Sequence, residues 1–304
     1  MTEERWAQEP RSMTQLAEVV LLDAPSFRAG IDSIRDKLLD GKIQPYFEAL
    51  LARHGLSSSE AVQRANLDKD YGRQILTGKR MARRDTYIQL AFALGLNPAE
   101  TQSMLNFLGM GPIYAVRERD AAILYALQRG YTLMKAQLLL EENGLLALGD
   151  AADTTPSAEP ESNAAPMRTT DVERSIREAR DFDMVTTEVQ DMFIGISVSD
   201  YFDRLLSARH LTRAQALSRA GIKESIGFQL LSGTRTAKNR DAYLRLALAL
   251  HLGLDETQQL LKFLKKGTLY ALKERDAALL YCVGHGHTLE ETQRQLAQSG
   301  LPLL

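Results

Sequence analysis

The chain carries one sequence pattern twice, and this duplication limits the folds open to it more than any other feature. Residues 56–85 read LSSSEAVQRANLDKDYGRQILTGKRMARRD, and residues 211–241 read LTRAQALSRAGIKESIGFQLLSGTRTAKNRD. The likeness extends beyond these stretches on both sides, and about four residues in ten are identical across the duplicated region. The second copy has one extra residue in its basic loop. The chain is therefore expected to contain two similar units.

Each copy begins with residues that start a helix. Ser57 precedes Glu60 by three positions, and Thr212 precedes Gln215 in the same way. In such a capping box the hydroxyl accepts a hydrogen bond from one free backbone N–H, and the second side chain accepts from another. The pattern predicts that one helix begins just after each of the two hydroxyl residues.

A second helix is predicted after a tight turn in each copy. Asn66 and Gly221 stand at the turn, and both residue types tolerate a left-handed backbone. Beyond the turn, an apolar residue at every fourth position indicates a helix with a single buried face. These apolar residues are Leu67, Tyr71 and Ile75 in the first copy, and Ile222, Ile226 and Leu230 in the second. The opposite face of each helix is mainly polar.

Further signals follow the second helix in the same order in both copies. They are a Gly-x-Arg step, a basic loop and a long helix rich in Ala and Leu, while a small residue precedes the turn. The first copy has them at Ala65, 78–80 and 87–94, and the second at Ala220, 233–235 and 243–250. This order resembles the phage-repressor-like helix-turn-helix family, also called the XRE or Cro-type family.

The resemblance and the helical patterning together predict an all-α fold. Strand patterns with alternating β-branched residues are missing from the sequence. The predicted architecture is two duplicated helical domains, each with a lambda-repressor-like helix-turn-helix and extra flanking helices. We expect a frayed terminus at 1–12, a first unit at 13–148, an acidic Pro/Ala-rich linker at 149–168 and a second unit at 169–304.

The family resemblance also implies how the chain would contact DNA. In that family the second helix enters the major groove, and the loop after it contacts phosphates. The implied base-reading residues are Lys69, Arg73, Gln74, Lys223, Ser225 and Gln229. The implied phosphate contacts are Lys79, Arg80, Arg83, Arg84, Arg235, Lys238 and Arg240. The implied source is bacterial.

The charge distribution favours the same function. The net charge is −2, but residues 53–84 hold eight basic and three acidic residues, and residues 209–240 hold seven basic and one acidic. Positive charge is therefore concentrated on the two motifs, as expected for phosphate binding. The alternative is that helix surfaces are commonly charged and that arginine stems cover apolar surface.

The linker and a helix that follows the first motif suggest regulation by a kinase. Thr154 and Thr155 lie beside proline in the linker and are candidate phosphorylation sites, although they can equally be ordinary linker residues. The helix-turn-helix followed by a helix that begins Arg119-Asp120-Ala resembles small proteins found beside bacterial Ser/Thr kinases. That resemblance implies a protein partner, such as a Ser/Thr kinase.

No constellation of catalytic residues is apparent, so the chain is not expected to be an enzyme or to use a cofactor. Phosphate-binding loops, Cys-x-x-Cys pairs and nucleophile elbows are missing from the sequence. His285 and His287 lack further ligands for a metal, and Cys282 lies in an apolar run typical of a core. The apolar runs are too short to span a membrane, and no secretory signal is visible, so we expect a cytoplasmic location.

Two functions are therefore compatible with the sequence. The first is a transcriptional regulator that binds double-stranded DNA through two tandem modules, as a covalent pseudo-dimer or in a homodimer. The second is a protein-interaction scaffold or adaptor, tied to a Ser/Thr kinase, that keeps the fold without reading DNA. Asp68 and Asp70 in the first motif and the acidic remainder of the chain favour the second. Exposure of the basic residues distinguishes the two hypotheses.

Overall fold

The computed structural model describes residues 13–39, 43–149, 169–189 and 197–304. Within these ranges the regular structure is entirely helical, which confirms the all-α prediction. None of the described helices is long and apolar enough to cross a membrane. The predicted frayed terminus and residues 150–168 of the linker, with Thr154 and Thr155, lie outside the described ranges.

The helices of the two halves follow one another in the same order. The first half contains α1 (Met13–Asp23), α2 (Phe27–Ile34), α3 (Ile43–Arg53), α4 (Ser58–Arg64), α5 (Lys69–Leu76), α6 (Arg84–Leu94), α7 (Pro98–Phe107), α8 (Glu118–Gln128) and α9 (Leu133–Glu142). The second contains α10 (Thr169–Glu178), α11 (Phe182–Val189), α12 (Val198–Ser207), α13 (Arg213–Arg219), α14 (Glu224–Leu231), α15 (Asp241–Ala249), α16 (Leu254–Phe263), α17 (Glu274–Gly284) and α18 (Leu289–Gln298).

The predicted capping boxes are present at α4 and α13. The Ser57 backbone N–H donates to the Glu60 carboxylate over 2.9 Å, and the Glu60 N–H donates to the Ser57 hydroxyl over 3.2 Å. Thr212 and Gln215 exchange the same two bonds at 2.9 and 3.2 Å. Both helices therefore begin where the side-chain chemistry predicted.

The turns after α4 and α13 are also confirmed. Asn66 has φ 53° and Gly221 has φ 60°, so the backbone of each copy passes through the left-handed region at the predicted residue. This conformation costs little for glycine and is tolerated by asparagine. The turn lets α5 and α14 fold back against α4 and α13.

Glycine allows the second helix of each pair to approach the first closely. A Cβ built on Gly72 would lie 2.5 Å from Val62 Cγ1, and one on Gly227 would lie 2.2 Å from Leu217 Cδ2. Both distances are far below van der Waals contact. The close packing of the two helices explains why both positions carry glycine.

We expect Gly72→Ala to destabilise the protein although alanine is the better helix former. The helical preference favours alanine by roughly 1 kcal/mol. Val62 is β-branched and cannot swing its methyl groups away easily, so overpacking should outweigh this gain and lower the free energy of unfolding by about 1–2 kcal/mol net. Chemical denaturation of the single variants and of Val62→Ala/Gly72→Ala checks this. The packing explanation is wrong if the double variant loses as much free energy of unfolding as the two single variants lose together.

The first two helices of each half pack against the other half. Helices α1 and α2 lie against α17, while α10 and α11 lie against α8. The aromatic contacts are reciprocal: the ring of Phe27 lies 6.0 Å from Tyr281, and that of Phe182 lies 5.5 Å from Tyr125. The buried apolar residues accordingly form one continuous cluster through both halves.

The packing of the first two helices of each half on the other half predicts that the halves stay together without a covalent connection. Separation would expose the faces of α8 and α17 that Phe182 and Phe27 now cover, so the dissociated halves would be unfavourable. A protease site placed at 158–163 and then cut should yield two fragments that elute together in size-exclusion chromatography at micromolar concentration. Elution as two separate monomers would contradict the reciprocal packing.

Candidate nucleic-acid interface

Helix α5 presents the predicted base-reading residues of the first copy to solvent. Gly72, Ile75 and Leu76 face the interior, whereas Lys69, Arg73 and Gln74 are exposed. The amphipathic spacing of the helix produces this division. Asp68, which had counted against DNA binding, caps the helix by accepting from the N–H groups of Asp70 and Tyr71 at 3.0 and 2.9 Å. Its carboxylate therefore has a structural role.

The loop after α5 lies against the exposed face of that helix. The backbone N–H of Arg80 donates to the carbonyl of Gln74 over 3.2 Å. The Arg80 guanidinium carbon lies 4.8 Å from the centre of the Tyr71 ring, within the range of a cation–π contact. Lys79 and Arg83 of the same loop are exposed. Cations of the loop and polar groups of the helix thus lie side by side.

Helix α14 repeats this arrangement with different side chains. The backbone N–H of Arg235 donates to the carbonyl of Gln229 over 3.1 Å, as Arg80 does to Gln74. The candidates Lys223, Ser225, Gln229, Arg235 and Lys238 are all exposed. Two apolar residues of this helix are also exposed, since Ile226 and Phe228 retain 39 % and 41 % of their accessible surface. The predicted burial of Ile226 is therefore wrong.

Two of the predicted phosphate contacts are used inside the protein. Arg84 donates to both carboxylate oxygens of Asp120 at 3.0 and 2.9 Å and to the carbonyls of Gly111 and Pro112. Arg240 makes the equivalent ion pair with Asp276. These side chains are only 15 % and 16 % exposed, so the structure removes both arginines from the candidate phosphate contacts.

A second ion pair accompanies each of these, which explains the recurring Arg-Asp steps in the sequence. Arg119 pairs with Asp85 at 2.5 Å, and Arg275 pairs with Asp241 at 3.1 Å. In each half, two Arg–Asp pairs therefore join the start of the long apolar helix (α6 or α15) to the start of α8 or α17. One pair takes its arginine from the first of these helices, and the other takes it from the second.

The two copies differ in how many cations remain exposed. In the second motif, Arg209 pairs with Glu256 and Arg213 with Asp203, which leaves fewer cations than the sequence count suggested. Within the described ranges, six basic residues of the first motif and four of the second form no ion pair. We call the six the first basic segment: Arg64, Lys69, Arg73, Lys79, Arg80 and Arg83. We call the four the second basic segment: Arg219, Lys223, Arg235 and Lys238.

Cys282 is buried in α17 and is a core residue. Burial raises the pKa of its thiol to about 11. Because the thiolate is the reactive form, we expect thiol reagents at neutral pH to modify Cys282 only after denaturation. Absorbance assays with an aromatic disulfide reagent, with and without denaturant, check this. Rapid labelling of the folded protein would contradict the buried position.

Comparison of the chain with protein-family models, with curated proteins and with solved structures finds no match. The described residues contain no group of three or more His, Cys, Asp or Glu side chains arranged to hold a metal ion. The exposed helices α5 and α14 and the basic loops that follow them form the candidate site.

Proposed function

We propose that the chain is a transcriptional regulator that binds double-stranded DNA through two helix-turn-helix units. The observation that carries this proposal is the first basic segment, whose six exposed cations lie on α4, on α5 and in the adjoining loop without ion-pair partners among the described residues. Exposed cations around a short amphipathic helix are suited to a polyanion with regularly spaced phosphates.

The proposed division of labour follows the chemistry of the side chains. Lys79, Arg80 and Arg83 in the first loop would contact phosphates and fix the position of α5. Gln74 would read base edges, because its amide can pair with adenine through one donor and one acceptor. Gln229 occupies the equivalent position on α14 and would do the same.

The two units would prefer different half-sites. Arg73 of the first unit suits guanine, which offers two acceptors in the major groove. Phe228 stands at the equivalent position of the second unit and suits the methyl group of thymine. A single chain with two unlike units would therefore favour an asymmetric site.

Selection from a pool of random duplexes tests this proposal. The wild-type protein should enrich one asymmetric site, and Gln74→Ala should relax the preference at one base pair by about 1–3 kcal/mol. Gln229→Ala should relax the preference in the other half-site. Enrichment that is the same in all three proteins, or no enrichment at all, would contradict base reading by these helices.

A protein-interaction scaffold, tied to a Ser/Thr kinase, is the second candidate. The exposed Ile226 and Phe228 on α14 favour it, since apolar side chains on a helix face are suited to a protein partner. In that case Phe228→Ala would abolish binding of the protein partner, and neither the wild type nor the variant would select a DNA sequence. If the same substitution changes the selected DNA half-site, α14 reads DNA.

A further inference from the structure

A cavity of about 820 Å³ lies between the two halves of the chain. The first half lines it mainly with residues 109–112, 117, 119 and 120, and the second half with 238–241, 262 and 265–267. This volume falls in the range of sites for small molecules, roughly 300–1,000 Å³. A sphere of this volume is about 12 Å across. The major groove of DNA alone is about that wide, so a whole DNA duplex is too large for the cavity.

The lining of this cavity is strongly basic. It carries nine arginine and lysine side chains and three aspartates. Four of the arginines form the Arg–Asp pairs described above, with Asp276 as the fourth carboxylate. The five further cations are Arg117, Lys238, Lys262, Lys265 and Lys266. The charge of Glu18 interacts with Asp255 and with Lys262, so Lys262 has acidic neighbours. Lys238 and Lys266 form no ion pair among the described residues, so the lining keeps an excess of positive charge.

The positions of two of these cations are fixed by backbone carbonyls. Arg117 donates from the first half to the carbonyl of Phe263 in the second over 2.7 Å. The Lys266 ammonium donates to the carbonyl of Ala237 over 2.7 Å. Its partial burial lowers the pKa of the Lys266 ammonium through desolvation. A bound anion would offset this cost.

The first half of the chain provides an internal comparison for the lysines. Lys262, Lys265 and Lys266 correspond to Asn106, Gly109 and Met110, which follow the same helix end. The backbone is also alike, because φ is 54° at Lys265 and 70° at Gly109. The neutral copy forms this loop without positive charge, so the loop conformation does not require the lysines.

We propose that this cavity binds a small ligand carrying several linked phosphate groups. Such a ligand matches the excess of cations and the size of the cavity, and lysine and arginine side chains are the usual protein partners of phosphate. The ligand would contact both halves at once, so its binding would hold them in one relative arrangement. This site is separate from the exposed basic segments proposed to contact DNA, apart from Lys238.

Calorimetric titration with inorganic tripolyphosphate tests the proposal. The cavity variant is Lys262→Asn/Lys265→Gly/Lys266→Met, which introduces the residues that the first half uses at the same loop. The matched control is Arg28→Gln/Arg177→Gln/Arg204→Gln, which removes three exposed positive charges elsewhere. We expect one-to-one binding by the wild type, at least about tenfold weaker binding by the cavity variant, and a change within about twofold in the control.

Two further measurements keep the test independent of folding and of nucleic acid. Tripolyphosphate should raise the melting temperature of the wild type and the control but not of the cavity variant. The single variant Lys262→Asn should weaken binding about threefold. The proposal is overturned if the wild type shows no saturable binding, or if all variants bind equally. It is also overturned if a single-stranded oligonucleotide binds in the cavity and tripolyphosphate does not.

Discussion

Replacement of Asp120 by alanine is expected to lower the free energy of unfolding by about 3–5 kcal/mol, because it leaves a largely buried guanidinium without its counter-charge. Arg84 is 15 % exposed and donates to both oxygens of this carboxylate. The same carboxylate accepts the backbone N–H of Tyr114 over 2.9 Å, so that bond is lost as well. Chemical denaturation followed by circular dichroism measures the change.

A surface pair provides the matched control for this substitution. Arg294 and Glu290 form an ion pair of 3.0 Å in which both side chains are mostly exposed. Glu290→Ala should therefore change the free energy of unfolding by less than about 0.5 kcal/mol. Asp276→Ala should resemble Asp120→Ala, because it breaks the equivalent pair in the second half. Similar small effects in all three variants would show that the internal pairs do not stabilise the fold.

Removal of the loop cations of the first copy is expected to weaken binding to duplex DNA at least about 100-fold. The variant is Lys79→Ala/Arg80→Ala/Arg83→Ala. Each lost phosphate contact should weaken binding to all sequences alike and reduce the salt slope by about 1. Fluorescence anisotropy with a labelled duplex of mixed sequence measures both quantities.

Arg28→Ala/Arg177→Ala/Arg204→Ala is the control for the loop variant, since it removes the same charge from exposed positions outside both motifs. We expect its DNA affinity to remain within about threefold of the wild type, the effect of net charge alone. Equal losses in the two variants would mean that attraction is general and that the loop makes no specific phosphate contacts.

Local chemistry was readable from the sequence because its causes lie within a few residues. The Ser57–Glu60 box starts α4 with its own hydrogen bonds, and the left-handed turn needs a residue such as Asn66. The spacing of apolar residues along α5 also predicts which side chains are exposed. The helical class of the fold and the exposure of Lys69 and Gln74 follow from these features.

Contacts between distant residues could not be read in the same way. Arg84 looks like a loop cation, and its partner lies 36 positions away at the start of another helix. The repeated Arg-Asp steps were the only signal of these pairs, and the same residue types occur on ordinary helix surfaces. The packing of α1 and α2 on α17 depends on the arrangement of the halves in space, which amphipathic spacing does not specify.

Charge counts along the sequence were misleading for a similar reason. They made the second motif slightly more basic than the first. Ion pairs such as Arg209–Glu256 join the motif to carboxylates outside it, so the first motif keeps more exposed cations. The first copy therefore keeps six exposed cations against four in the second, together with three exposed carboxylates against one.

The affinity of the wild-type protein for a mixed-sequence duplex, measured across a salt series, tests the proposed DNA binding most directly. If the first basic segment neutralises about five or six phosphates, the logarithm of the affinity should fall against the logarithm of salt with a slope of about −5. Binding tighter than micromolar at about 50 mM salt is expected, near the strong end of non-specific binding. An absence of binding under these conditions, or a slope close to zero, would contradict DNA binding and favour the protein-interaction scaffold.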